Sequence, residues 1–152
     1  MEHDVIIRKA ATSDAAVIAE FNRAMARETE GVHLDPDTVH SGVAHLMRQP
    51  EYGFYLVAEV AERVVACLLI TYEWSDWRDG VCWWIQSVYV APEYRRQGIF
   101  RRMFGQVESL AQSDASVIGL RLYVEENNTG ARRTYESLSM AKTPYHLYEK
   151  FF

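Results

Sequence analysis

The sequence predicts a single-domain, mixed α/β (α+β) protein occupying residues 1–152. Three observations lead there. The chain has 152 residues, 49% of them hydrophobic, which is the size of one domain with a real buried core. Apolar runs of strand length alternate with stretches whose apolar residues recur at helical spacing. No repeat, linker or low-complexity segment divides them, so two packed layers around one core are expected.

The elements follow in order. Val5 to Arg8 is a short β-branched run, and Thr12-Ser13-Asp14 offers capping side chains to a helix with Val17, Ile18, Phe21, Ala24 and Met25 on one face. After a break at Gly31 to Leu34, Asp35-Pro36 opens a second helix, with Val39, Val43, Leu46 and Met47 on its apolar side and Pro50 beyond its end. Phe54 to Val60 and Val64 to Tyr72 read as an antiparallel hairpin around Ala61-Glu62-Arg63. The polar stretch Glu73 to Gly80 reads as a loop leading into a long strand, Val81 to Val90, ended by Pro92. Ile99, Phe100, Met103, Phe104, Val107, Leu110 and Ala111 mark the clearest helix. Val117 to Val124 returns as a strand, Thr129 to Leu138 as a short helix, and Tyr145 to Phe151 as a closing strand. The expected order is βααβββαβαβ.

Composition excludes several classes of function. Asp and Glu outnumber Lys and Arg by 21 to 16, for a formal charge of -5, which argues against binding nucleic acid over the whole surface. No apolar run nears the roughly 18 residues of a membrane span, and Met1-Glu2-His3-Asp4 lacks the features of a secretory signal. A cytoplasmic protein without membrane partners is expected. Cys67 and Cys82 sit in apolar stretches and read as reduced core thiols. The histidines include no pair at i, i+4 spacing, so no metal site is expected.

Chemistry concentrates where the long strand meets the clearest helix. Between Tyr94 and Val107 stand Arg95, Arg96, Arg101 and Arg102 with no acidic residue, in a chain that is acidic overall. Backbone N–H groups and the helix dipole already favour an anion at a helix start. Gly98 lets the backbone approach that anion without a Cβ in the way. A few N–H groups and one or two arginines, at about 1.5–3 kcal/mol per charge-assisted bond, suffice to hold a pyrophosphate.

The same run, Val90-Ala91-Pro92-Glu93-Tyr94-Arg95-Arg96-Gln97-Gly98-Ile99-Phe100-Arg101, resembles the acetyl-CoA signature of the GNAT acetyltransferases: an Arg/Gln-x-x-Gly-x-Gly/Ala turn after a strand ending in Val-x-Pro. Arg95, Gly98 and Phe100 fall on the signature positions, with Phe100 replacing a small residue. Downstream, Asn128-Thr129-Gly130-Ala131-Arg132-Arg133-Thr134-Tyr135 resembles the family's Asn-x-x-Ala-x-x-x-Tyr, with Ser139-Met140 in place of Gly-Phe. The resemblance implies a mostly antiparallel central sheet with helices on both faces, and acetyl-CoA as co-substrate. It implies a turn formed by Arg95, Arg96, Gln97, Gly98, Ile99, Phe100 and Arg101 around the pyrophosphate. It implies backbone groups of Val88, Tyr89 and Val90 on the pantetheine arm where strands splay apart, with Asn128 also contacting pantetheine. The mechanism the resemblance implies is direct attack of an amine on the thioester, with a backbone N–H near Val88 polarising the carbonyl and Tyr135 protonating the departing thiolate. The positions where related enzymes carry a glutamate base read Trp84, Gln86 and Tyr123; Glu28, Glu73 and Glu125 are candidates by composition only. A CoA-binding sensor without turnover is the alternative, against which the retained Tyr135 speaks.

Trp74, Trp77, Trp83 and Trp84 lie together, interleaved with Glu73, Asp76 and Asp79. Aromatic faces with carboxylates suit a cationic amine. In the family the first two helices and this hairpin wall the acceptor pocket. Glu28, Glu30, Trp74, Asp76 and Trp77 are therefore the expected acceptor site, the partner being an amine of a small molecule or peptide. The reading allows a homodimer.

Overall fold

The computed structural model describes residues 4–152; Met1 to His3, which belong to the amino-terminal stretch read above, lie outside them. The chain divides into two compact units, one ending at Leu122 and one running from Tyr123 to Phe152.

The first unit holds a five-stranded sheet in the order β1-β2-β3-β4-β5, formed by Val5–Lys9, Gly53–Val60, Arg63–Ser75, Gly80–Val90 and Val117–Arg121. The first three pairings are antiparallel and β4 with β5 is parallel. The mixed, mostly antiparallel α/β class therefore holds. Helices α1 (Ala15–Glu30) and α2 (Pro36–Arg48) fill the connection between β1 and β2, and α3 (Ile99–Gln112) makes the crossover from β4 to β5.

Strand alternation explains why β2 is apolar over Tyr55–Ala58 and β3 over Val64–Ile70. Tyr55, Val57, Cys67, Leu69 and Tyr89 cluster with Ile18 and Ala19 of α1 and Val43 of α2. The intervening Leu56, Ala58, Ala66, Leu68 and Ile70 are equally buried and must point to the other face. There α3, with Met103, Phe104 and Val107 buried, packs on β1, β2, β4 and β5. A sheet covered on both faces needs apolar residues at successive positions.

The helix ends show where local signals hold. Asp35 caps α2 by accepting from the Thr38 N–H at 2.9 Å, with Pro36 as the first helical residue. Thr12-Ser13-Asp14, expected to cap α1, forms instead a 3₁₀ turn, and Asp14 gives α1 no side-chain cap. Its buried carboxylate accepts from Arg8 Nη1 at 2.7 Å and Nη2 at 3.2 Å, and from the Ala11 N–H at 2.7 Å. Arg8 also donates Nε to Glu59 at 3.0 Å, tying the α1 entrance to β1 and β2.

The Arg8 hydrogen bonds hold the Asp14 carboxyl below its ordinary pKa. A depressed carboxylate adds stability that is present above the unfolded value, near 4, and disappears as pH falls through the folded one. Asp14→Ala is expected to cost about 2–3 kcal/mol at neutral pH, toward the lower end for a broken buried pair because Arg8 is partly exposed. The difference from wild type should shrink below about pH 4. Urea denaturation at pH 7 and pH 3 checks this; a pH-independent difference would refute the ion-pair account.

Three strand expectations need correction. The stretch Glu73 to Ser75 is not loop but the end of β3, because it continues the β4 pairing through Glu73↔Cys82, Trp74↔Val81 and Ser75↔Gly80. β5 stops at Arg121 instead of Val124.

The second unit contains α4 (Thr129–Ser137). Residues 138–152 form no helix or strand, so the closing strand expected from Tyr145 to Phe151 is absent. Its residues have strand propensity, but a strand exists only where a partner supplies hydrogen bonds.

Candidate active site

The site on the first unit is built from a defect in β4. Cys67 stands opposite Tyr89 and Leu69 opposite Gln86, so Leu68 faces two residues, Ser87 and Val88. This is a β-bulge, and Ser87 adopts φ 51° to make it. The Cys67 thiol donates to the Ser87 carbonyl at 3.7 Å, and burial pushes its pKa up to about 12, so it remains a donor.

Beyond the bulge β4 has lost its parallel neighbour. Pairing with β5 runs only from Val81↔Val117 to Trp84↔Arg121, whereas β4 continues to Val90. Ile85 to Val90 thus have no strand on that side among the described residues. The Ala91 N–H bonds to the Val65 carbonyl at 2.8 Å while Val90 faces Ala66. The antiparallel alternation then turns the backbone of Tyr89 toward β3 and that of Val90 away from it. The Val90 carbonyl accepts from Arg95 Nε at 2.8 Å.

The turn after β4 uses two left-handed residues, Arg96 at φ 62° and Gly98 at φ 76°. Gly98 is the N-cap of α3 and caps it with no side chain; a Cβ built there meets no atom within 4 Å. Glycine is thus placed for its conformation and leaves the helix start uncovered. Arg96, Gln97 and Arg101 are exposed. Ile99 is buried, and Phe100 packs on Phe104 with ring centres 6.2 Å apart, which accounts for a large residue at that signature position.

The arginine cluster carries less unpaired charge than its sequence suggests. Arg95 Nη2 binds Glu28 at 2.7 Å and its guanidinium lies 5.3 Å from the centre of the Tyr89 ring. The Tyr89 hydroxyl donates to the same carboxylate at 2.9 Å. Arg95 holds Glu28 below the usual carboxylate range. Arg102 is tied to the Val5 carbonyl at 3.1 Å.

The expected acceptor residues do not gather around Glu28. Glu30 ends α1 and is exposed. Asp76 and Trp77 lie in the turn between β3 and β4, Trp77 being 85% exposed. Trp74, on β3, is 62% exposed and by alternation faces away from the α1 side, which Glu73 shares with Cys67 and Leu69. Sequence reasoning missed a polar row on that side: Gln86 donates Nε2 to Thr71 at 2.5 Å, and Arg121 pairs with Glu73 across the intervening half-buried Trp84. The period of two, once the hairpin register is known, is the signal that would have found it. Of the carboxylates considered as base, Glu28 is committed to Arg95, Glu73 to Arg121, and Glu125 to the Asn127 N–H of its own loop at 2.8 Å.

In the second unit, Asn128 caps α4 by accepting from the Ala131 N–H at 3.2 Å. Tyr135 lies on α4, half-buried, and burial raises its hydroxyl pKa. Among the described residues no group of three or more His, Cys, Asp or Glu is arranged to hold a metal ion, and no helix is long and apolar enough to cross a membrane.

The model of the acetyltransferase (GNAT) family matches residues 18–140. The chain belongs to the GNAT acetyltransferase family. This GNAT acetyltransferase is 46% identical to a solved protein described as a possible acetyltransferase from Clostridium difficile 630, over 99% of both chains, with a TM-score of 0.91. A predicted acetyltransferase from Clostridium acetobutylicum, solved with acetyl-CoA, shares the fold at 16% identity, covering 97% of this chain and 96% of that one, with a TM-score of 0.79. So does aminoglycoside N-acetyltransferase AAC(6')-Iy in complex with CoA, at 12% identity, 99% and 97% coverage and a TM-score of 0.78. Comparison with curated proteins finds no match.

Proposed function

We propose that residues 1–152 form one catalytic domain of the cytoplasm that transfers the acetyl group of acetyl-CoA to a primary amine of a small molecule or peptide, by direct attack in a ternary complex. The observation that carries this reading is the β4 edge. It leaves β5 at Trp84, bulges at Ser87 and runs into a left-handed Arg96–Gly98 turn at the start of α3. An extended arm can use such an edge as another strand would, and its pyrophosphate can lie against the helix start. Proteins of the same fold bind acetyl-CoA and CoA.

In this reading Val88 and Val90 orient the pantetheine arm, with Asn128 as a further contact, and a backbone N–H near Val88 polarises the thioester carbonyl. The amine nitrogen forms its bond to the carbonyl carbon, the C–S bond breaks, and Tyr135 donates its proton to sulfur. Glu28, Glu73 and Glu125 each have a hydrogen-bond partner, and the amine's proton is proposed to pass to water.

The acceptor proposed is an amine with positive charge nearby, met by Asp76 and Trp77 in the turn after β3; Glu30, at the end of α1, and Trp74, on the side of β3 away from α1, do not hold one amine together, and Glu28 is engaged by Arg95. A cation near an exposed tryptophan gains about 0.5–2 kcal/mol. A screen of polyamines, amino acids, aminoglycosides and peptide amines, read by release of free CoA thiol, is expected to favour cationic acceptors, and Asp76→Asn with Trp77→Ala to raise their KM. A preference for anionic acceptors would overturn the acceptor assignment, and no thiol release with any amine would favour a binding module.

A further inference from the structure

The side chain of Arg95 reaches back across the turn that it opens. Its Nε donates to the Val90 carbonyl at 2.8 Å, on the side of β4 turned away from β3, and its Nη2 to Glu28 at 2.7 Å, in the last turn of α1. Its guanidinium carbon lies 5.3 Å from the centre of the Tyr89 ring. Tyr89 supports the cluster from within. Its ring belongs to the hydrophobic core and packs on Phe21 of α1 with centres 5.1 Å apart, while its hydroxyl donates to the second oxygen of Glu28 at 2.9 Å. Each carboxylate oxygen thus has its own donor.

The other bonds of the turn are mostly local. Tyr94 N–H bonds to the Ala91 carbonyl and Arg95 N–H to that of Pro92, and Gln97 Nε2 donates to the Glu93 carbonyl. Glu93 adds a loose pair with Arg63 at 3.6 Å between largely exposed groups. Local bonds fix the shape of a turn, but not where it stands relative to β4 and α1. That is what the Arg95 side chain supplies. An incoming pyrophosphate that used its fork would first have to break a short charge-assisted hydrogen bond.

We propose that Arg95 is a positioning residue of the cofactor site and not a phosphate ligand: joined to Glu28 and to the Val90 carbonyl, it holds the Arg96–Gly98 turn in place relative to the β4 edge. Cofactor affinity then depends on a carboxylate of α1. The assignment rests on the acetyl-CoA reading above, and it leaves the pyrophosphate to the N–H groups at the start of α3.

Calorimetric titration with acetyl-CoA tests this in wild type, Glu28→Gln, Arg95→Met, Arg95→Lys and the double variant Glu28→Gln with Arg95→Met. Both side chains lie at the surface, so the variants should fold, which circular dichroism checks. Glu28→Gln is expected to raise Kd about three- to ten-fold, kept modest because the paired side chains are 42% and 40% exposed. Arg95→Met should lose at least as much, and adding Glu28→Gln to it should lose nothing further, since the two act as a unit. Arg95→Lys should not rescue, because a flexible point charge does not reproduce the fixed fork that meets carboxylate and carbonyl together.

A phosphate ligand would behave in the opposite way. Glu28→Gln would release it and tighten binding, and Arg95→Lys would keep most of the affinity; either result overturns the proposal. Additive losses overturn it by giving Glu28 a separate role. Unchanged Kd in every variant, with or without a lower melting temperature, overturns it by confining these side chains to the stability of the fold. In each of these cases wild type still binds acetyl-CoA and the functional reading stands. A wild type that binds no acetyl-CoA overturns that reading, and this assignment with it.

Discussion

Tyr135→Phe is expected to lower turnover by about 10²- to 10⁴-fold, the range for removal of a general acid, while acetyl-CoA affinity stays near wild type. The substitution deletes one oxygen and keeps the ring, so the half-buried packing of α4 is retained. Burial raises the pKa of the hydroxyl, and the group therefore keeps its proton throughout the neutral range, as a donor to sulfur must. The effect should appear in kcat, because the hydrogen bond is worth most when negative charge develops on the leaving sulfur and little in the ground state. Calorimetry for acetyl-CoA and steady-state thiol release for turnover separate the two. Wild-type turnover in the variant would remove the role from Tyr135, and an equal loss in binding would make it a packing residue of the cofactor pocket.

Gly98→Asp should weaken acetyl-CoA binding by about 10²-fold, the equivalent of one to two charge-assisted hydrogen bonds. The new Cβ meets no atom within 4 Å, and aspartate tolerates the left-handed region better than most residues. A carboxylate at the N-cap also suits the helix dipole, so the fold should persist. What changes is the field at the helix start, where a fixed negative charge would oppose the pyrophosphate. Gly98→Asn, of nearly the same shape and uncharged, should lose much less. Equal affinities for wild type and Gly98→Asp in folded protein would move the phosphate site away from this turn.

The parts of the fold that are legible in the amino-acid sequence are those written over short distances. The period of 3.6 in Ile99 to Ala111 and the Asp35-Pro36 start are local signals, and local signals survive folding. The turn at Arg95 to Phe100 is readable because a strand, a glycine and a helix start adjoin in sequence. The rest depends on partners far along the chain. Arg95 finds Glu28 across 67 positions, and no spacing rule anticipates that pairing, so the turn reads as more positive than it is. Asp14 has the residue type and place of a cap, but Arg8 claims its carboxylate. Trp74 reads as loop because Glu73, Ser75 and Asp76 are poor strand formers, yet cross-strand pairing with Val81 extends β3 through it. The tail errs in the opposite direction: its residues have strand propensity, and residues 138–152 form no strand.

The parting of β4 from β5 after Trp84 bears on how the enzyme behaves when heated. Where two strands diverge, the sheet forgoes hydrogen bonds that a continuous ladder would have made, and the stability they would supply passes to whatever molecule lies along the edge. A ligand that binds the native chain and not the unfolded one raises the unfolding free energy by RT ln(1 + [L]/Kd), about 2.7 kcal/mol at a hundred times Kd. The melting temperature thus becomes a titration curve for the cofactor, readable with no acceptor in the tube.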